Sequence, residues 1–140
     1  MRQELDELLC EKYPKMMVNR HKPMTQTAMC WGFECGDGWF NIISQLMSQI
    51  QHHIDWNNKK EELVPQVTLT QVKEKFGTLR FYYDGGDDRI RGLVTMAQAM
   101  SGVTCENCGN AGKIRGNGWY YTSCEEHANE EDKTVSEPVS

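Results

Sequence analysis

Apolar positions recur at helical spacing in three stretches of this chain and alternate in a fourth. Leu5, Leu8 and Leu9 stand at i, i+3 and i+4, which predicts a short helix over Glu4 to Tyr13 that Pro14 ends. Phe40, Ile43, Met47, Ile50 and Ile54 form a longer stripe, so a helix is expected from about Gly38 to Trp56 with Asp37 as its cap. Ile90, Leu93, Ala97 and Met100 define a third helix, capped by Asp87 or Asp88, running to about Met100 and followed by Gly102. Before it, Val67 to Lys75 and Thr78 to Tyr83 flank Phe76-Gly77. A two-residue loop there sets position 75 opposite 78, 73 opposite 80, 72 opposite 81 and 71 opposite 82. Residues 15–35 carry Met16, Met17, Met24, Met29, Cys30, Trp31 and Phe33 among polar neighbours with neither period, and no element is assigned to them.

The strand register separates two faces. Val72, Leu79, Phe81 and Tyr83 turn toward a core, while Gln71, Lys73, Lys75, Arg80 and Tyr82 turn away from it. Lys73 and Arg80 face each other, and like charges so placed destabilise a sheet unless a negative group lies between them. Solvent or a carboxylate of the chain itself is one resolution. The other is recognition of a phosphate-bearing ligand or an acidic protein surface, with Arg80 as a bidentate fork and Tyr82 as a flat partner. Lys73, Lys75, Arg80 and Tyr82 are therefore candidate contact residues, and Trp39, read as an exposed aromatic, joins them. Upstream, the glycines of Cys35-Gly36-Asp37-Gly38-Trp39 would let backbone amides approach an anion, but an Asp37 cap occupies the same amides, and the structural reading is preferred. Cys30 and Cys35 are read as core thiols.

A different chemistry lies further on. Cys105 and Cys108, then Cys124 and His127 after 15 intervening residues, give C-x2-C…C-x2-H, a spacing that sets three thiolates and one imidazole around a tetrahedral zinc ion. Four protein ligands leave no open position, so the zinc, one per chain, is expected to be structural. The intervening stretch reads as a hairpin: Lys113 to Arg115, a turn at Gly116-Asn117-Gly118, then Trp119 to Thr122. Cys124 to His127 would share a face as the first turn of a short helix, which together makes a treble-clef-like finger. Metal-free thiols and a disulfide are the competing readings.

Composition narrows the partners. The chain has 140 residues and a net charge of −5, and residues 128–140 hold four acidic side chains against one basic. The remainder is near neutral and lacks the basic field that duplex binding draws on, so nucleic acid is not the favoured partner. No apolar run reaches the ~20 residues a bilayer demands, and the acidic start, Met1-Arg2-Gln3-Glu4-Leu5-Asp6, is not signal-like, so a cytoplasmic protein without membrane attachment is expected. Six cysteines in a reducing compartment point to metal before disulfide. The expected class is α+β: helices packed on a central antiparallel hairpin or small sheet over residues 1–104, a zinc finger at 105–128 packed on that core, and a disordered acidic tail at 129–140.

No spacing sets Cys10, Cys30 or Cys35 beside His21, His52 or His53, and no phosphate loop, nucleophile elbow or two-histidine metal helix is present, so no catalytic residue is assigned. Three segments carry a resemblance: Phe33 to Trp39, Gln71 to Tyr83, and Cys105-Glu106-Asn107-Cys108-Gly109 through Trp119 to Cys124-Glu125-Glu126-His127-Ala128. In these the chain resembles small zinc-finger proteins encoded by bacteriophages and prophages, whose members mostly lack an assigned function. The resemblance implies a viral accessory protein in the host bacterial cytoplasm that counters host defence by sequestering a host protein or an anionic, nucleotide-like immune signal. A nucleic-acid-associated zinc protein using Lys113, Arg115, Trp119 and Tyr120 is the alternative, and an enzyme with an unrecognised site the second. Exposed aromatic and methionine side chains would permit a homo-oligomer.

Overall fold

The stripe that begins at Phe40 forms the longest element of the computed structural model, which describes residues 1–133. Helices α1 (Gln3–Lys12), α2 (Phe40–Lys59) and α3 (Asp88–Ser101) accompany a sheet ordered β1-β2-β3, from β1 (Phe33–Glu34), β2 (Thr68–Lys75) and β3 (Thr78–Asp84). Strands β4 (Lys113–Arg115) and β5 (Tyr121–Ser123) make a separate two-stranded sheet. The class is α+β, as the alternation of periods implies. No helix among the described residues is long and apolar enough to cross a membrane.

The β2–β3 register is the one the loop predicts: Lys75 opposite Thr78, Lys73 opposite Arg80, Val72 opposite Phe81 and Gln71 opposite Tyr82. Phe76 and Gly77 both take positive φ, 55° and 86°, the geometry that matches strand twist in a two-residue hairpin. A non-glycine residue is strained there, and the Gly77 amide donates to Glu74 Oε1 at 2.8 Å across the turn. Val72, Leu79 and Phe81 are buried in one apolar cluster with Leu9 of α1, Ile43, Met47, Ile50 and Ile54 of α2, and Ile90, Val94 and Ala97 of α3.

The open edge of β3, and the stretch of β2 that β1 leaves uncovered, are closed by side chains or loop backbone. On β3, the Leu79 amide donates to Ser101 Oγ (2.8 Å) and the Phe81 amide to Gln98 Oε1 (3.0 Å). This duty rotates α3 from its expected orientation: Val94 and Ser101 are buried, Leu93 is half-buried and Met100 is exposed. On β2, the Leu69 amide donates to Met16 O (2.9 Å) and Asn19 Nδ2 to Leu69 O (2.9 Å), while β1 runs parallel, Phe33 beside Val72 and Glu34 beside Lys73. The segment 15–35, unassigned from sequence, thus lines the sheet and buries Met16, Met17, Met29 and Phe33.

Four further expectations need correction. In α1, Leu8 is exposed and Asp6 is buried, because Arg20 bonds both Asp6 oxygens (3.1 and 3.2 Å from Nε) and donates from Nη1 to Cys30 O (2.8 Å). Asp37 caps no amide of α2: it accepts from the Arg2 amide (2.7 Å) and pairs with Arg2 Nε (2.9 Å), and a short 3-10 turn over Asp37–Trp39 precedes the helix. Trp39 is not a surface contact residue but wholly buried, with its indole N–H donating to Thr104 O at 2.9 Å. Of the stretch expected to be a disordered tail, residues 129–133 are described and fold back as a turn, the Asn129 amide donating to Tyr121 Oη (3.0 Å) and Tyr121 Oη to Asp132 Oδ2 (2.5 Å). Residues 134–140 lie outside the described residues.

Candidate metal centre

Cys105 and Cys108 bracket a tight knuckle. The Cys105 amide donates to Asn110 O (2.7 Å) and the Gly109 amide, at a φ of 83° that suits glycine, donates to Cys105 O (2.9 Å). The β4–β5 hairpin then returns the chain, Lys113 opposite Ser123 and Arg115 opposite Tyr121. Its loop spans Gly116 to Tyr120, so Trp119 and Tyr120 belong to the loop rather than to the strand expected of them. Gly116 and Gly118 hold φ values of 102° and 93° in that loop, a conformation open to glycine at little cost. Cys124 to His127 form a turn, not the first turn of an α-helix, and the Ala128 amide donates to Glu125 O at 3.3 Å. Knuckle and hairpin are present; the helix that a treble clef adds is absent among the described residues.

The four side chains converge. One donor atom from each of Cys105, Cys108, Cys124 and His127 lies within 4.8 Å of the others, a group that can hold a metal ion. Cys108 Sγ is 3.7 Å from Cys124 Sγ, and His127 Nδ1 is 3.2 Å from Cys124 Sγ and 3.8 Å from Cys105 Sγ. Thiolates about 2.3 Å and an imidazole about 2.0 Å from a shared tetrahedral ion would stand roughly 3.6–3.8 Å apart, so the donor set fits one. Burial alone would raise the Cys105 thiol, but the backbone amides of Cys124, Cys108 and Asn107 donate to its sulfur and bring it down to about 6. For Cys108 the Asn110 amide works in the same direction, yet burial and the adjoining Cys105 and Cys124 sulfurs outweigh it and push the thiol up. A trio of sulfurs that ionises one member readily and resists the next is suited to a central cation.

The knuckle sits on Cys35-Gly36-Asp37-Gly38-Trp39. Gly38 donates its amide to Glu106 O (2.7 Å) and Gly36 donates to Glu106 Oε2 (2.8 Å). A Cβ on Gly38 would fall 2.1 Å from Cys105 O, and one on Gly36 2.3 Å from Glu106 O, so these glycines exist to let two backbones touch. The Gly36 amide does approach an acidic group, the chain's own Glu106 side chain, while the Gly38 amide meets that residue's backbone carbonyl. Burial raises that carboxyl despite the Gly36 amide. Thr122 Oγ1 donates to Gly77 O, tying the finger to the β2–β3 turn.

The other candidates fall on the outward sheet face. Lys73 and Arg80 are half-buried and directly paired in register, and neither forms an ion pair among the described residues. Arg80 Nε is buried without a hydrogen-bond partner. Glu34 is the register neighbour of Lys73 but makes no ion pair with it. Tyr82 is exposed beside them, and Lys75 rests its ammonium 5.5 Å from the Phe76 ring. On the finger, Arg115 is buried and committed: Nε donates to Ser123 O (3.2 Å), and Nη1 to Asp132 O (3.0 Å) and to Glu125 Oε2 (3.1 Å). It is unavailable to a nucleic acid. Burial pushes Cys35 up to about 12, and burial followed by a bond to Asp6 pushes Cys10 up to about 11, so both stay protonated near neutrality. No family model, curated protein or solved structure matches this chain, and the resemblance to phage-encoded proteins gains no support from them.

Proposed function

We propose that this chain is a non-enzymatic binding protein, in which one zinc ion on Cys105, Cys108, Cys124 and His127 fastens the finger to the core and the outward sheet face receives an acidic protein surface. Zinc is favoured by the donor set, three soft sulfurs and an imidazole at tetrahedral separations. Its coordination is closed by protein ligands, which makes it a scaffold and not a Lewis acid for substrate. The reading is carried by Arg80, whose half-buried guanidinium has a buried, unpartnered Nε and faces an unpaired Lys73. The buried Nε lies out of a partner's reach, but a carboxylate on the terminal nitrogens of the half-buried guanidinium would offset the opposed charges of Arg80 and Lys73. Around it stand exposed Tyr82 and Phe76, and beyond the hairpin tip Trp119 and Tyr120, the residue types that anchor protein interfaces. From the resemblance, the setting is a phage-infected bacterial cytoplasm and the partner a host defence protein.

The test compares wild type with Arg80→Ala and Lys73→Ala in affinity capture from bacterial lysate, followed by titration of the recovered protein. The expected result is an acidic partner whose affinity drops at least tenfold in either variant, while metal content stays at one equivalent. Relieving the opposed cations should also leave stability unchanged or raise it by up to about 1 kcal/mol. A partner held equally by both variants, or none held by wild type, rejects the sheet face.

A further inference from the structure

We propose that the cleft between the last turns of α2 and the first turn of α3 is a binding site for a nucleoside phosphate: a planar ring on Trp56 and a phosphate on Arg89, Lys60 and His52. The cleft encloses about 490 Å³, within the size of small-molecule sites. His52 and Trp56 of α2 and Lys60, just past its end, line it at four-residue steps, and Arg89 lines it from α3. No carboxylate lines it. In a chain of net charge −5, such a cationic concavity with an exposed indole is the exception.

The floor is built and fixed. His53 Nε2 lies 2.7 Å from Asp87 Oδ2, and His53 Nδ1 lies 3.0 Å from Asn57 Nδ2. Because the Asn57 amide can only donate, Nδ1 accepts and the Nε2 proton points to Asp87. The other Asp87 oxygen accepts from the Ile90 amide at 3.1 Å, capping α3. Burial would raise the Asp87 carboxyl, but the bonds from His53 and Ile90 outweigh it and hold it below the usual carboxylate range. Asp87 is therefore an anion with both oxygens engaged, pinning α3 to α2 and with it the separation of Arg89 from Trp56. Neither Arg89 nor Lys60 forms an ion pair among the described residues, and Lys60 Nζ rests 4.8 Å from the Trp56 ring. The Arg89 guanidinium, Lys60 ammonium and His52 imidazole line one cleft and would supply three donors to a tetrahedral oxyanion, with the half-exposed indole as the stacking face. At the sheet face Lys75 and Phe76 line a smaller cavity of about 230 Å³ by the hairpin tip, so the two surfaces suit different ligands.

The inference does not depend on the sheet face and is tested separately. The full metal-loaded chain is titrated with adenosine 5′-monophosphate, adenosine and inorganic phosphate, followed by amide and indole signals in 15N NMR spectra and by calorimetry. The nucleotide is expected to shift the Trp56 indole signal, assigned with Trp56→Phe, and to bind at least tenfold tighter than either fragment. Arg89→Ala and Lys60→Ala, both at exposed positions, should each weaken it about tenfold, and Arg80→Ala should not. Equal binding of inorganic phosphate alone, loss on Arg80→Ala instead of Arg89→Ala, or no shift at millimolar nucleotide overturns the assignment.

Discussion

The sheet-and-helix core and the finger are held by different physics. The apolar cluster runs from Leu9 to Ala97 and contains no residue of the finger. Beyond Ala97 the buried side chains are Cys105 with Ser101, Arg115, Thr122 and Ser123, while Val103, Ile114, Trp119 and Tyr120 are exposed. Area removed from water therefore accounts for the core and contributes little to the finger. What orders the finger is the set of Arg115 bonds across the hairpin and the backbone seat at Gly36–Gly38, beside four side chains, Cys105, Cys108, Cys124 and His127, that converge where a metal ion can be held. A region without apolar filling can still be specific where a few directional bonds must all be made together.

The sharpest way to break this contrast is to take the metal away. Cys108→Ala, or a strong chelator, is expected to collapse the amide signals of residues 105–133 while the helices of the core keep their circular dichroism. Structural zinc in finger peptides is worth roughly 10–16 kcal/mol, more than the finger's other contacts supply, whereas none of the four candidate ligands belongs to the core cluster. Spectra insensitive to chelation would mean that the thiols alone hold the finger. Simultaneous loss of the core would mean that the two regions are one cooperative unit.

A smaller effect probes the seat itself. Gly38→Ala puts a methyl 2.1 Å from Cys105 O and 2.6 Å from Glu106 O, backbone atoms that cannot step aside without moving a ligand. About 2–4 kcal/mol of stability should be lost in denaturant titration, and the metal should exchange faster with a competing chelator. Gly92→Ala is the control, because a Cβ there meets nothing within 4 Å and the helix gains propensity. Slower exchange in Gly38→Ala than in wild type would detach the seat from the metal site.

How much of this was legible in the chain follows from how local each constraint is. The register of Lys73 with Arg80 was, because a two-residue loop at Phe76-Gly77 fixes every pair behind it. The grouping of Cys105, Cys108, Cys124 and His127 was, because donors able to hold one ion must recur at set spacing around one point. Segment 15–35 was not: its order comes from Met16 O meeting the Leu69 amide and from Arg20 reaching Asp6, contacts that leave no period in sequence. Nor was the role of the Gly36 and Gly38 amides, since their acceptors, the side chain and the backbone carbonyl of Glu106, lie on a residue 70 positions from Gly36. The α3 stripe misled because Ser101 and Gln98 are turned inward for hydrogen bonds to β3, which hydrophobicity does not score. Nor was the His53–Asp87 bond, which joins residues 34 positions apart in the sequence, legible.

Trp39 is where the two regions meet, and it gives the finest measure of their coupling. Its ring belongs to the apolar cluster while its N–H donates to Thr104 O at 2.9 Å, one residue before the first metal ligand. Trp39→Phe keeps an aromatic ring in the cluster but leaves that carbonyl without its donor and a small void beside it. A loss of about 2 kcal/mol is expected, from an unsatisfied buried acceptor plus incomplete filling. If core and finger are coupled through this bond, the double variant Trp39→Phe with Gly38→Ala will cost measurably less than the two single losses added, because either change already loosens the same contact. Strict additivity would show that the indole serves the core alone, and that the finger is held to it by the glycine seat and the Thr122 bond without help from Trp39.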